Sequence, residues 1–220
     1  MTDRWRIAQF FELRWWQRYL SGRERSVYYQ WKSRYWTAIL DTHWLWPAPG
    51  ERILDAGCGP AGVFVVLGQY PVDAIDPLLD AYEHHLAQFN RADFPWVRFY
   101  ALPLEQFSAP MPYDRIYCLN ALNHVASLSG CLKRFSDMIT PDGLLVCTLD
   151  THRYKWASRV FRAFPGDILH PHQYTASEYA TLFEGAGFEI EQQCRLKKGT
   201  IFDYTLFTMR LRPSRVGHSS

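Results

Sequence analysis

Apolar residues first recur at helical spacing and then, from about residue 52, fall into short runs that read as buried strands. Over 4–20, Trp5, Phe10, Phe11, Leu13, Trp16, Tyr19 and Leu20 keep a helical period with arginines between them, and Ser21-Gly22 ends the run. A second helix is predicted over 24–40, with Val27, Tyr28, Trp31, Tyr35, Trp36 and Ile39 on its apolar side. Pro47, Pro49 and Gly50 then mark a boundary. Beyond it, predicted strands at 52–55, 72–75, 96–101, 114–119 and 144–149 alternate with helices at 61–68, 77–90 and 128–139. Pro77 suits a first helical position, and Pro141-Asp142-Gly143 reads as a turn.

The end of the chain changes character. Thr175-Ala176-Ser177-Glu178 has the spacing of a capping box and opens a helix that ends at Gly185-Ala186-Gly187. Two strands follow, 188–196 and 201–211, joined through Lys197-Lys198-Gly199. The expected fold is α/β: a Rossmann-like, mostly parallel sheet with helices on both faces and an antiparallel C-terminal hairpin at its edge. Residues 1–46 form an N-terminal helical cap or lid in this reading, 47–212 the main domain and 213–220 a flexible tail.

Composition narrows the function classes. The 220 residues suffice for one full core, and a net charge of +2 makes no electrostatic case for nucleic acid. The basic residues that do cluster, among them Arg4, Arg6, Arg14, Arg18, Lys32 and Arg34, read mainly as a solvated helix face. Five cysteines, at 58, 118, 131, 147 and 194, form no Cys-x-x-Cys pair and suggest reduced thiols in a cytoplasmic protein. No apolar run approaches the ~18 residues of a membrane span, and the N-terminus lacks a signal-peptide core. Seven of the nine tryptophans precede residue 47. A Rossmann-like core has no need of such aromatic helices.

The first predicted strand runs into a glycine-rich turn, Asp55-Ala56-Gly57-Cys58-Gly59-Pro60-Ala61-Gly62. A strand, such a turn and a helix N-terminus together make a binding element for a nucleotide-like ligand. The spacing Gly57-x-Gly59-x-x-Gly62, with Asp76 near the offset of a ribose-binding acid, satisfies a dinucleotide fingerprint. Asp55 argues the other way. A carboxylate at the end of the first strand suits a ligand with a cationic amino-acid moiety and sits badly beside a pyrophosphate.

Five segments in order resemble the class I S-adenosylmethionine-dependent methyltransferases, in the broad group that includes small-molecule and quinone methyltransferases. They are Leu54-Asp55-Ala56-Gly57-Cys58-Gly59, then Asp76-Pro77, then Tyr113 to Val125, then Thr140-Pro141-Asp142-Gly143-Leu144-Leu145-Val146, and last Gly187-Phe188-Glu189-Ile190. The resemblance covers about residues 46–211. It implies S-adenosylmethionine as cofactor. It implies that Gly57, Cys58 and Gly59 pack on the methionine part and that Asp55 meets its amino group. Asp76, with Pro77, takes the ribose hydroxyls; Leu104 and Glu105 hold adenine; the Asn120 carbonyl receives the amine. Two positions depart from the family: Ala61 stands where many members have a glycine, and Pro103 where many have an aspartate for the adenine amino group.

Methyl transfer from a sulfonium needs mainly an aligned nucleophile, and a base only if the acceptor starts protonated. The candidates lie beyond the fourth and fifth strands. His124 and His170 are the catalytic candidates. Asn123, Asp150 and His172 are substrate-binding candidates from those segments, and Tyr28, Trp31 and Tyr35, with Lys32, from the second helix. No metal-ligand spacing is present among Asp150, His170 and His172. Cys118 lies inside a predicted strand with no Pro-Cys pair, and Asn120-Ala121-Leu122-Asn123 stands where amino-group methyltransferases carry Asn/Asp-Pro-Pro-Tyr.

The expected function is methyl transfer to a small, apolar or aromatic metabolite. A non-enzymatic S-adenosylmethionine-binding partner subunit, and a methyltransferase for RNA or protein, remain as alternatives. The interleaved arginines and tryptophans are compatible with peripheral membrane contact, and the first helix's aromatic face with a monomer's lid or a homodimer.

Overall fold

The computed structural model describes residues 3–154 and 172–213. Seven strands form one sheet in the order β3-β2-β1-β4-β5-β7-β6. These are β1 (Ile53–Ala56), β2 (Val72–Ile75), β3 (Val97–Tyr100), β4 (Tyr113–Leu119), β5 (Ile139–His152), β6 (Phe188–Lys197) and β7 (Phe202–Leu211). The first five pair in parallel, and β7 and β6 pair antiparallel. The hairpin inserts its second strand beside β5 and leaves β6 at the edge.

Strand alternation sorts the core into two faces. On β5, Leu144 and Val146 join one hydrophobic cluster, while Leu145, Cys147 and Leu149 join the other. The first face is covered by α1 (Asp3–Leu20), α2 (Arg25–Thr42) and α3 (Leu79–His85). The second is covered by α4 (Leu128–Met138) and α5 (Ala176–Gly185). The aromatic N-terminal helices thus share one continuous cluster with the sheet. Leu20, Tyr28, Trp36 and Leu40 are buried there with Ile53, Val72 and Tyr117. Arg115 on β4 anchors the connecting segment through a two-pronged pair to Glu51, at 2.7 and 3.1 Å, and Tyr117 donates its hydroxyl to the Leu45 carbonyl. Gln88 amide donors, 3.0 Å from the Leu20 carbonyl and 2.9 Å from that of Arg23, pin the turn between α1 and α2.

Four local expectations change. The helix expected at 61–68 is absent; two 3-10 turns, Gly59–Ala61 and Val63–Val66, take its place. Gly62 is extended between them (φ −71°, ψ −170°), and the β-branched Val63, Val65 and Val66 favour helix poorly. The helix α2 lies over this stretch: Trp36 donates its indole N–H to the Ala61 carbonyl (3.0 Å), and Tyr29 its hydroxyl to that of Pro60 (2.9 Å). The helix expected over 77–90 shrinks to the seven residues of α3. Pro141-Asp142-Gly143 is a bulge inside β5, since Tyr113 pairs with Ile139 but Arg115 with Leu144. Finally, the expected apolar stripes of α1 and α2 do face the core through Leu13, Trp16, Tyr19, Leu20, Tyr28, Tyr35, Trp36 and Ile39, but Phe10, Phe11, Val27 and Trp31 stay exposed.

The capping box at α5 forms as expected, with the Glu178 amide donating to Thr175 Oγ1 and the Thr175 amide to the Glu178 carboxylate. Thr175→Ala is expected to lower unfolding stability by about 1 kcal/mol. Urea denaturation reads this, and an unchanged midpoint contradicts it.

Candidate active site

A cavity of about 660 Å³ lies across the carboxyl ends of β1, β2 and β4, between the sheet and helices α1 and α2. Its sheet side is shaped by two buried carboxylates. Asp55, at the end of β1, accepts the Phe64 amide at 3.0 Å. A Cβ on Gly62 would overlap that carboxylate and crowd the Cys58 carbonyl, so the glycine here is a packing requirement. Asp76, just past β2, accepts the Gly59 amide at 3.0 Å on one oxygen and the Leu78 amide at 2.8 Å on the other. The Gly57 and Cys58 amides both donate to the Ile75 carbonyl, at 2.8 and 3.0 Å. Gly57 is left-handed (φ +71°), and its missing Cβ leaves the space that Ala121 fills. The turn's N–H groups at 57, 58, 59 and 64 are therefore engaged within the fold, which disfavours the pyrophosphate cradle that the glycine spacing alone allowed.

Burial pushes the Asp55 carboxyl up to about 7, and the neighbouring Asp76 adds to the rise. Burial also raises Asp76, against the two amide donors that lower it. On α1, Glu12 is raised well above the carboxylate range, by burial first and then by Asp76 facing it. Gln9 holds Glu12 at 3.4 Å, and Trp16 offers it a further hydrogen bond.

Of the donor-site residues expected from sequence, Asp55, Gly57, Cys58, Gly59, Asp76, Pro77, Leu104, Glu105 and Asn120 all line this cavity. Trp31, Tyr35, Asp150 and His124 line it too. Asn120 takes a left-handed backbone (φ +56°), and its amide donates to the Thr148 carbonyl within β5. Glu105 is more committed than expected, because one carboxylate oxygen accepts the amides of Ala126 (2.9 Å) and Ser127 (3.0 Å) at the start of α4.

Three expected substrate residues lie outside the cavity lining. Tyr28 is buried in the core against Tyr29 and Trp31. Asn123 is buried and donates to the Asp150 carbonyl (2.9 Å) and, at 3.4 Å, to that of His172. His172 donates Nε2–H to the Val125 carbonyl (2.9 Å), with burial lowering its basicity. Asn123 and His172 thus latch the segment after β4 to the segment before α5. His170 lies outside the described residues.

The sequence reading missed Gln9 and Glu12, which line the cavity with Trp5, Trp16 and Tyr19. These five fall at i, i+4, i+7, i+11 and i+14, a single helix face. A stripe drawn from apolar residues passes over the two polar ones, although the aromatic neighbours on their face were the available signal. It also missed Tyr204, which reaches the cavity from β7 and bonds Thr148 at 2.6 Å.

A seven-stranded sheet in this order, with the glycine turn and two acids at the ends of β1 and β2, defines the class I methyltransferase fold. The chain belongs to the methyltransferase-domain family, whose family model matches residues 28–193, within the class I S-adenosylmethionine-dependent methyltransferases. Among solved structures, it is similar to 1,6-didemethyltoxoflavin-N1-methyltransferase from Burkholderia thailandensis, solved with 1,6-didemethyltoxoflavin and S-adenosylhomocysteine. That likeness has 20% identity, a TM-score of 0.62, and covers 97% of this chain and 92% of that one. The geranyl diphosphate C-methyltransferase of Streptomyces coelicolor A3(2) aligns over 80% of this chain and 78% of its own, at 15% identity and a TM-score of 0.56. The [4+2]-cyclase SpnF aligns over 81% and 80%, at 14% identity and a TM-score of 0.62. No curated protein matches the sequence. Among the described residues, no helix is long and apolar enough to cross a membrane.

Two outcomes are expected from the site's packing and charge. Gly62→Ala forces Asp55 or the turn to move and is expected to cost about 1–3 kcal/mol, the usual range for overpacking. Calorimetric unfolding checks it, and a wild-type melting temperature contradicts it. Glu12 binds its proton more tightly folded than unfolded, so its stabilising contribution is full below its ordinary range and fades as pH rises through the raised value. Glu12→Gln should therefore lose less stability than wild type between about pH 5 and 8. Equal slopes of melting temperature against pH contradict it.

Proposed function

We propose that the protein transfers a methyl group from S-adenosylmethionine to a small planar or aromatic acceptor bound beneath helices α1 and α2. The observation that carries this reading is the convergence of the family's donor positions and an aromatic wall on one cavity.

The residues present fit the donor. Asp76 keeps acceptor capacity on both oxygens after binding two amides, as a pair of ribose hydroxyls requires. Asp55, Asp76, Glu12 and Glu105 line the same cavity, a balance that favours a cation such as a sulfonium or an ammonium. Leu104, buried beside Pro103, offers an apolar edge for adenine, and Pro103 in place of an aspartate leaves the adenine amino group without the usual acid. Asn120, held left-handed, would present its carbonyl to the amine. When bound, S-adenosylmethionine supplies an electrophilic methyl group on a positively charged sulfur. The chain's own task is then to exclude water and hold the acceptor atom in line.

Trp31 and Tyr35 on α2, with Trp15 and Trp16 on α1, give that acceptor large, stiff apolar walls. His124 and Asp150 stand on the lining where a proton leaving the acceptor would be taken. The methyltransferase with bound 1,6-didemethyltoxoflavin, similar over nearly the whole chain, supports a small-molecule acceptor.

Asp76→Asn removes a charged acceptor and, because an amide nitrogen cannot accept, also gives up one of the two amide bonds from Gly59 and Leu78. It is expected to weaken S-adenosylmethionine binding by at least about tenfold, as loss of a charge-assisted hydrogen bond does. Titration calorimetry on wild type and variant decides it; unchanged affinity contradicts the ribose assignment. Incubation with methyl-labelled donor and a small-molecule extract should yield a labelled product. Donor binding without any labelled product would contradict the enzymatic reading.

A further inference from the structure

The cavity's charges are segregated along the sheet. The carboxylates of Glu105, Asp76 and Asp55 stand beyond or within β3, β2 and β1, and Glu12 faces Asp76 from α1. The lining lysines come from other elements: Lys197 from the end of the edge strand β6, and Lys32 from α2. Asp150 is the acid at the lysine end, and it stands opposite Tyr204 in the β5–β7 ladder.

Lys32 is the less ordinary of the two lysines. It is half-buried, and its ammonium lies 5.0 Å from the Trp36 ring centroid, 5.4 Å from Trp31 and 5.9 Å from Tyr35. Aromatic faces hold a cation in place but accept no conventional hydrogen bond from it. Asp55, whose charge acts on Lys32, accepts the Phe64 amide at the turn. A half-buried ammonium with three donors thus stands at the aromatic end of a ligand cavity. Burial accordingly lowers its affinity for a proton, to a pKa of about 8.

Building on the methyl-transfer reading, we propose that the acceptor is an aromatic acid or phenolate-like compound whose anionic oxygen pairs with Lys32, with Lys197 reinforcing the field from the cavity's far edge. The ring lies against Trp31 and Tyr35, and the anionic oxygen fixes which atom faces the donor. An acceptor of this kind gives Lys32 an opposing charge within the cavity, while the acids at the other end meet the donor cation. An uncharged acceptor leaves Lys32 with the aromatic faces and the field of Asp55, which accepts the Phe64 amide.

The test uses a matched pair of probes, 2-naphthoate and 2-naphthamide, identical in ring and differing by one charge. Each is titrated into the full chain saturated with S-adenosylhomocysteine, and tryptophan fluorescence reads binding. Wild type should bind the naphthoate at least about tenfold more tightly than the amide, about 1.4 kcal/mol. Lys32→Met should bring the two to within about twofold of each other, while Lys32→Arg retains most of the preference. Lys197→Met, at an exposed position, should reduce the preference by less than Lys32→Met does. Calorimetry with S-adenosylhomocysteine on each variant verifies that the donor half is intact. Equal affinities in wild type, or a preference that survives Lys32→Met, overturns the proposal and leaves the donor site standing. Failure of wild type to bind S-adenosylhomocysteine instead overturns the methyl-transfer reading.

Discussion

The arrangement depends on one buried carboxylate. Asp55 ends β1 inside the protein, away from water, and must be compensated there. Its partner is the Phe64 amide, and reaching that amide requires a chain that doubles back tightly with no side chain at 62. The connection from β1 therefore runs as two 3-10 turns and not as a helix, and the space a crossover helix would cover is taken by α2. Asp76 repeats the device one strand along, tying Gly59 and Leu78 to the end of β2. The result is a floor whose two carboxylates are held in place by backbone amides before any ligand arrives, the preorganisation that binding of a cationic donor calls for.

From this follows the role of the N-terminal helices. They form a layer of the fold, carrying the core on one side of the sheet and the cavity's aromatic wall on their inner edge. Tyr28, Trp36 and Leu40 do the first; Trp16, Trp31 and Tyr35 do the second. Helix α1 adds an acid, Glu12, against Asp76, and this like-charge contact keeps the helix's hold on the cavity sensitive to pH. A donor seated on Asp76 would also lie against the inner face of α1, so donor binding and the seating of α1 should reinforce each other.

Much of this was legible in the sequence for physical reasons. Strand positions follow from runs that must be buried on both faces, and β2 falls on its expected residues. The capping box at Thr175 is a local device whose partners are three residues apart, so sequence suffices to find it. The positions expected to hold the donor meet on one cavity because most of them sit at strand ends, where chain order dictates spatial order. What escaped depended on contacts between distant segments. The turn after Gly59 is set by Asp55 and by α2, not by the helical look of Val63 to Leu67. Asn123 and His172 carry the residue types of a substrate site, yet their partners are backbone carbonyls at 125 and 150. Gln9 and Glu12 were hidden because a polar residue facing a cavity and one facing solvent have the same hydropathy.

The coupling between the floor and the aromatic layer is most directly tested by hydrogen–deuterium exchange with and without S-adenosylhomocysteine. Protection is predicted at residues 57–62 and 76–79 and, together with them, along α1 from Gln9 to Tyr19. Protection confined to the sheet side, with α1 exchanging as fast as in the free protein, would contradict a donor cavity shared by the sheet and the N-terminal helices.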